Sequence, residues 1–243
     1  MFISLTLGIF VPMHCSVITR KLNNRLDRIR FKPINVFVFH AVSDIFDPEV
    51  NKKIDWLSTD YFKQKIKTLQ DRYTFISLEE AHTKLEKDLV RSKKYAVLTC
   101  DDGFESILDI LPFIIEQNIP ITLFLNPLYL DGIHIRNGYA PHPKYITNKQ
   151  LDGIKSPLVT IGMHGFEHLD ATRQTKEEFE SSVTKCVAQL SKYPNYIPYF
   201  AYTWGRFNSD TQQILKKEMI TPVLCDGQLN YHYRNGISRM MLE

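Results

Sequence analysis

From Ile34 onward the sequence alternates short apolar runs with longer segments of helical periodicity, and this alternation constrains the fold more than any other feature. The apolar runs are continuously hydrophobic, which is typical of strands buried on both faces. Strands are predicted at 35–40, 73–76, 95–100, 121–126, 158–161, 199–202 and 221–225, with 237–242 as an eighth candidate. Buried strands that alternate with helices predict a parallel α/β architecture.

The segments between the apolar runs carry helix signals. Phe62, Ile66 and Leu69 recur at helical spacing, and Ser77 with Glu80 forms a capping box. Further helices are predicted at 104–117, 176–191 and 210–217. We find no repeat, low-complexity tract or long linker, so we expect one domain over residues 34–243, preceded by a separate segment, 1–33. The one long irregular stretch, 127–149, has the length of a functional loop.

Charge and cysteine content exclude some functions. Thirty Lys and Arg against 27 Asp and Glu leave a net charge of +3, too small a bias to predict a nucleic-acid-binding surface. The four cysteines are scattered and form no C-x-x-C pair, so we expect free thiols rather than a disulfide framework. The sequence predicts no oligomeric state.

The N-terminal segment combines an apolar run with a basic stretch. Residues 1–17 have no basic residue before Arg20 and are interrupted by Pro12, which suits neither a signal peptide nor a membrane span. We expect a helix that covers one end of the domain, and a cytoplasmic protein. The alternative is weak association of residues 1–32 with an anionic membrane surface, in a membrane-associated or exported protein.

Polar residues follow four of the predicted strands directly. In α/β barrels the side chains at the carboxyl ends of parallel strands converge on one mouth, where the chemistry takes place. The residues in question are His40, the Asp101-Asp102-Gly103 sequence, the segment from His164 to His168, and Thr203-Trp204-Gly205. We therefore expect a candidate site built from these four loops.

The acidic and histidine residues among them suit a metal ion. Asp101 and Asp102 would repel each other in a dry site unless a cation compensates them. Alone, this pair also fits a capped surface turn. His164 and His168 would present both imidazoles on one side if their segment were helical, and two histidines with one carboxylate form a common catalytic metal site. The combination favours a divalent metal.

Three motifs in a fixed order resemble the polysaccharide deacetylases, carbohydrate esterase family four, with a NodB-type domain. They are T-C-D-D-G-F at 99–104, H-x-x-x-H at 164–168, and F-A-Y-T-W-G at 200–205, the last similar to the F-A-Y-P-Y-G of one subgroup. The resemblance covers about residues 35–242. It implies a distorted (β/α) barrel of about seven strands, an N-acetylated carbohydrate substrate and one divalent metal, zinc first, with Co, Ni, Fe or Mn as alternatives.

The resemblance also implies roles for the motif residues. Asp101 matches the family's general base, and Asp102 matches its carboxylate metal ligand. His164 and His168 match the two histidine ligands of the same ion. The departures within these motifs, Cys100 and Gly165, fall at positions that are not ligands.

Three more residues are assigned by the same resemblance. The backbone N–H of Trp204 matches the donor to the oxyanion. His40 matches an early histidine that serves as general acid, and Arg239 matches a late arginine that orients the base. Thr203 stands where the family has proline, a departure that bears on the third motif.

The expected function is hydrolytic removal of acetyl from an N-acetylated sugar, in a polysaccharide or a glycan precursor of envelope biosynthesis. Two alternatives stay open. Thr203 and the unusual N-terminal segment favour a glycan-binding domain that has lost turnover, and fold resemblance alone allows a metal-dependent hydrolase of a non-sugar amide. Tyr129 and Tyr145 could stack on sugar or simply pack within the domain.

Overall fold

The computed structural model describes residues 32–44, 56–87, 93–133 and 144–242. The predictions for residues 1–31, and residues 134–143 of the irregular stretch predicted at 127–149, lie outside this part of the chain. Within it, no helix has the length and apolar character needed to cross a bilayer.

Strands and helices alternate along the chain as the sequence predicts. The strands are β1 Ile34–Phe39, β2 Ala41–Val42, β3 Trp56–Leu57, β4 Thr74–Phe75, β5 Tyr95–Cys100, β6 Ile121–Leu125, β7 Val159–Met163, β8 Tyr196–Ala201, β9 Thr221–Leu224, β10 Ile237–Ser238 and β11 Met240–Met241. The helices are α1 Thr59–Gln70, α2 Leu78–Glu86, α3 Ile107–Glu116, α4 Asn148–Asp152, α5 Lys176–Leu190 and α6 Ser209–Lys217.

The main sheet is parallel, and eight strands lie side by side in the order β10-β9-β8-β7-β6-β5-β1-β11. The short β4 pairs with the start of β5, and β2 pairs with β3 in a separate small sheet. The predicted fold class, a parallel α/β barrel, is confirmed.

The candidate eighth strand, 237–242, closes the barrel. Its first half, β10, pairs with β9, and its second half, β11, pairs with β1 at the opposite edge of the sheet. Arg239 lies between the two halves, and its backbone N–H donates to the carbonyl of Leu224. One short segment therefore joins both edges of the sheet.

Alternate positions along the strands face two different cores. Phe37 and Phe39 of β1 pack in the larger cluster with Phe62 and Ile66 of α1. Val36 of the same strand belongs to a second cluster, which includes residues of α2 and the neighbouring strands β5, β6 and β8. Burial on both faces explains why the strands read as continuous apolar runs.

Capping side chains begin several helices where the sequence predicts them. Ser77 accepts from the Glu80 N–H at the start of α2, and Thr175 forms a complete capping box with Glu178 at the start of α5. The helix predicted from residue 104 begins only at Ile107, because Phe104 pairs with Tyr145 in an isolated bridge. Cys100, Cys186 and Cys225 are free thiols, as expected, and the first two are buried.

Candidate metal centre

The loops after β5 and β7 bring Asp102, His164 and His168 together at the carboxyl ends of the strands. Oδ1 of Asp102 lies 3.0 Å from Nε2 of His168 and 3.2 Å from Nε2 of His164. All three side chains are buried. The sequence prediction of one converging site is met for these residues.

The donor set and its spacing fit a divalent metal. Two ligands bound at about 2.1 Å to one ion, at tetrahedral or octahedral angles, are separated by roughly 3.0 to 3.4 Å. The two carboxylate-to-imidazole distances, 3.2 and 3.0 Å, lie within that range. One carboxylate oxygen and two imidazole nitrogens thus form a group that could hold a metal ion.

The backbone around His164 fixes the orientation of its ring. Nδ1 of His164 lies 2.8 Å from the carbonyl of Ala201, to which it donates. That hydrogen bond leaves the lone pair of the neutral ring on Nε2, the atom that faces Asp102. Asn126, which lies outside the three sequence motifs, donates through its amide to the carbonyls of His164 and Gly165, at 2.5 and 2.8 Å.

The segment from His164 to His168 is not helical, so the helical premise for pairing these two imidazoles is wrong. β7 continues to Met163, and the chain then turns through Gly165 at φ 77° and His168 at φ 56°. This turn, rather than an i,i+4 helical repeat, brings the two rings to a centroid distance of 5.0 Å.

Backbone strain is concentrated at the site. Five residues other than glycine have positive φ in the described chain, and Asp102, His168 and Trp204 are three of them, at 68°, 56° and 52°. Such conformations cost about 1–3 kcal/mol each and persist where the surroundings enforce them, most often at functional sites. The strain is an indication of function that comes from the structure alone.

Asp101 lies beside the triad and is held by Arg239. Nη1 and Nη2 of Arg239 donate to Oδ1 and Oδ2 of Asp101, at 2.6 and 2.8 Å, and Nη1 also contacts the Thr99 hydroxyl. The guanidinium carbon of Arg239 lies 5.2 Å from the centroid of the Phe124 ring. The predicted orienting arginine therefore reaches the predicted base.

Burial and neighbouring charges act in opposite directions on the acids. Burial alone would raise the pKa of Asp101, but the charges of Arg239 and His164 outweigh it, and the pKa is lowered. For Asp102, burial is likewise outweighed by His168 and His164, which hold its pKa well below the usual range. Burial lowers the pKa of His164, but the effect of Asp101 and Asp102 is larger and opposite, so the pKa of His164 is raised overall.

His40 and Trp204 flank the group on two sides. His40 follows β1 and is close enough that its charge helps to lower the pKa of both Asp101 and Asp102. Trp204 lies in a 3₁₀ turn, Thr203–Gly205, with its ring edge-on to His168 at a centroid distance of 4.9 Å. Both predicted residues are thus at the candidate site.

The threonine that replaces the family's proline makes a specific contact. The Thr203 hydroxyl donates to the carbonyl of Leu169 at 2.5 Å, and Thr203 is buried. It ties the third-motif turn to the loop that carries His168. Threonine at this position therefore supplies a hydrogen bond between two loops.

A second contact between the same two loops was not predicted. Nη1 of Arg206 donates to Oδ2 of the buried Asp170 at 2.8 Å, and the other oxygen of Asp170 accepts from the backbone N–H and hydroxyl of Thr172. We call the Thr203–Leu169 and Asp170–Arg206 contacts the loop clasp. The loop clasp links two loops that are distant in sequence, so no local sequence pattern predicts it.

Tyr129 and Tyr145 belong to the core. They are only 5% and 8% exposed and stack on each other at a centroid distance of 4.7 Å. The Tyr129 hydroxyl donates to the carbonyl of Glu167. Of the two interpretations of these residues, packing within the domain is the one that the structure supports.

The chain is thus a parallel α/β barrel protein with a buried Asp-His-His group, at the carboxyl ends of its strands, that could hold a metal ion. The family model described as polysaccharide deacetylase matches residues 88–223, more than half of the chain. The protein belongs to that family. No curated protein matches the sequence.

Several solved structures are similar to this chain in fold. IcaB from Ammonifex degensii is 18% identical with a TM-score of 0.72, covering 87% of this chain and 92% of its own. The Streptococcus pyogenes deacetylase PplD in complex with acetate is 22% identical with a TM-score of 0.69, covering 86% and 92%. A de-N-acetylase from Aggregatibacter actinomycetemcomitans is 16% identical with a TM-score of 0.64, covering 86% and 94%. At these identities the likeness concerns the fold.

Proposed function

We propose that this protein is a metal-dependent deacetylase that removes the acetyl group from an N-acetylated sugar in a polysaccharide or glycan precursor. One observation carries the proposal: the buried group of Asp102, His164 and His168 lies beside a second carboxylate, Asp101, that Arg239 holds. Membership of the polysaccharide deacetylase family supports the choice of substrate.

Asp102, His164 and His168 would hold the ion, and zinc is the first choice for a set of one carboxylate and two imidazoles. Such an ion supplies Lewis acidity, which polarises the acetyl carbonyl and lowers the pKa of a coordinated water. The protein keeps these ligands ready, because the Ala201 carbonyl fixes the tautomer of His164.

Asp101 is the proposed general base. Its lowered pKa keeps the carboxylate ionised at neutral pH, so it can accept a proton from the attacking water. Because Arg239 donates to both oxygens of the Asp101 carboxylate, that group is held in one orientation. Its Oδ2 lies 3.9 Å from Nε2 of His164. Arg239 is a positioning residue, since it contacts the base and not the reacting atoms.

The remaining steps use Trp204 and His40. Addition of water to the acetyl carbonyl carbon produces a tetrahedral intermediate, and the Trp204 N–H is the proposed donor to its oxyanion. Protonated His40 then donates to the nitrogen as the carbon–nitrogen bond breaks. One amide and one water are consumed, and the products are acetate and an amino sugar. The proton that Asp101 accepts is matched by the one that His40 donates.

Acetate release tests the proposal. Purified protein is stripped of metal by chelation and mixed with N-acetylglucosamine oligosaccharides, with and without added Zn²⁺ or Co²⁺. We expect acetate only after metal is restored, together with about one metal ion per chain by elemental analysis. Sugar binding without metal or turnover would favour a non-catalytic glycan-binding domain, and acetate from non-sugar amides alone would favour the other alternative.

A further inference from the structure

The loop that carries both histidines of the triad, residues 164–168, is neither helix nor strand, so its backbone carbonyls need partners from elsewhere. The carbonyls of its first four residues all find a donor in one neighbouring segment, residues 126–129. We call these two stretches the histidine loop and the support segment. They lie side by side because they follow the paired strands β7 and β6, whose last paired residues are Met163 and Leu125.

Asn126 supplies two of these hydrogen bonds from its side chain. Its amide nitrogen lies 2.5 Å from the carbonyl oxygen of His164 and 2.8 Å from that of Gly165, and Asn126 is only 2% exposed. The two carbonyls belong to the peptide groups on either side of Gly165, whose φ of 77° is left-handed. One buried amide therefore holds both peptide groups of the turn that follows the first histidine.

The rest of the support segment reaches the second histidine. The backbone N–H of Leu128 donates to the carbonyl of Phe166 at 3.2 Å, and the Tyr129 hydroxyl donates to the carbonyl of Glu167 at 3.0 Å. The Glu167 carbonyl belongs to the peptide group that enters His168, which has a left-handed φ of 56°. Because a residue other than glycine keeps such a conformation only where its surroundings enforce it, the Tyr129 contact acts at the strained position.

Both side chains are themselves held in place. The Tyr129 ring stacks on Tyr145 at a centroid distance of 4.7 Å, which fixes the direction of its hydroxyl. The side-chain oxygen of Asn126 is buried and has no hydrogen-bond partner among the described residues. Since a buried polar atom without a partner costs free energy, the stabilising contribution of the Asn126 side chain lies in the two bonds that its nitrogen donates.

We propose that Asn126 and Tyr129 are positioning residues that set the separation and direction of the two histidine ligands, and thereby the affinity of the site for a divalent ion. The inference rests on the proposed function, because it takes Asp102, His164 and His168 as the ligands. Both residues act through the backbone of the histidine loop, without contact to the ion. Groups that orient ligands in this way typically change metal affinity by about 10- to 100-fold.

Zn²⁺ affinity tests the support segment without any sugar present. The dissociation constant is measured on metal-stripped protein by competition with a chelator of known affinity. We expect Asn126→Leu, which has a branched side chain of similar length but donates no hydrogen bond, to raise the dissociation constant about 10- to 100-fold. Tyr129→Phe keeps the stacked ring and loses only the hydroxyl, so it should raise the constant about fivefold.

Two matched variants lose hydrogen bonds of the same kind away from the histidine loop. The Asn195 amide donates to the carbonyl of Val159 at the start of β7, and the Tyr193 hydroxyl donates to Asn148. Asn195→Leu and Tyr193→Phe should lower the thermal unfolding midpoint of the metal-stripped protein and leave its Zn²⁺ affinity unchanged. These controls separate ligand positioning from a general loss of stability.

Unchanged Zn²⁺ affinity in Asn126→Leu and Tyr129→Phe overturns the inference, as does an equal loss of affinity in the two control variants. If Asn126→Leu does not fold, the affinity of Tyr129→Phe decides the matter alone. Acetate release from N-acetylglucosamine oligosaccharides is measured separately on the wild type saturated with Zn²⁺. Metal binding without acetate overturns the proposed function only, whereas a wild-type chain that binds no Zn²⁺ overturns both.

Discussion

Both terminal nitrogens of Arg239 donate to the carboxylate of Asp101, although 138 residues separate the two in sequence. Arg239 is only 1% exposed, so this is a buried ion pair with two parallel charge-assisted hydrogen bonds. Such a fork fixes both the position and the ionisation of the carboxylate. The pair suits a base that must face its substrate in one orientation.

Replacing Arg239 by lysine should shift the acid limb of the pH profile of kcat/KM to higher pH. Arg239 lowers the pKa of Asp101 against the effect of burial, so a weaker partner lets that pKa rise and the base becomes protonated at higher pH. Because the fork is lost as well, kcat should fall by about tenfold to a hundredfold. Acetate release across a pH series measures both effects.

The exposed Arg72→Lys is the control for that variant and should leave the profile unchanged. Arg239→Ala should go further and lower the free energy of unfolding by about 3–5 kcal/mol, because it leaves the buried Asp101 carboxylate without a partner. An Arg239→Lys profile identical to wild type would show that Arg239 does not control the base.

Asp101→Asn should abolish most turnover while the metal remains bound. The amide preserves the shape of the side chain but cannot accept the proton, and general bases typically contribute about 10² to 10⁴ in rate. Acetate release and elemental analysis are measured on the same sample. Turnover equal to wild type would show that Asp101 is not the general base. Loss of metal would show that Asp101 is one of the metal ligands.

Added Zn²⁺ should raise the thermal unfolding midpoint of the metal-stripped protein by about 5–10 °C. An ion that binds the folded chain at about a hundred times its dissociation constant stabilises it by about 2.7 kcal/mol. His168→Ala should lose this response. His82→Gln should keep it, because His82 contacts Tyr199 and Tyr233 outside the triad. A shift of the same size in His168→Ala would contradict the assigned ligand set.

Asp170→Asn should weaken the loop clasp and lower the free energy of unfolding by about 1–3 kcal/mol, since hydrogen bonds to a charged acceptor are lost. Asp210→Asn is the matched control: its ion pair with Lys176 is exposed, and its effect should stay below about 1 kcal/mol. Chemical unfolding followed by circular dichroism compares the two. Equal effects would mean that the clasp adds nothing beyond a surface ion pair.

Gly103→Ala should destabilise the fold more than Gly227→Ala. Both glycines have positive φ, at 75° and 68°, so each alanine carries a backbone cost of about 1–2 kcal/mol. At Gly103 the added Cβ would also lie 2.8 Å from Cδ2 of Leu125, whereas at Gly227 nothing lies within 4 Å. Thermal unfolding of both variants separates the backbone cost from the steric clash.

The sequence predicts the strands and the placement of the site well, because both depend on local signals. Buried parallel strands appear as continuous apolar runs, and the polar residue that ends each run marks the mouth of the barrel. This signal places Asp101, His164 and Trp204 together at that mouth, and the structure has them there. Arg239 was found through the resemblance of its motif to a family.

Other features depend on loop geometry that no local pattern carries. The two histidines meet through left-handed turns and not through a helix, so their spacing alone could not give the geometry. The partnership of Asp170 with Arg206 joins loops 36 residues apart. Tyr129 and Tyr145 illustrate a further limit, since an aromatic pair has the same sequence signature on a sugar platform and in a core.

Because Arg239 lies between β10 and β11, one peptide segment both joins the two edges of the sheet and holds the Asp101 carboxylate in place. If those few strand pairings are lost, the sheet opens and the proposed base, Asp101, loses its arginine partner in the same event. We therefore expect an incompletely folded molecule to be inactive rather than unselective, since the contact between Arg239 and Asp101 forms only when the barrel closes.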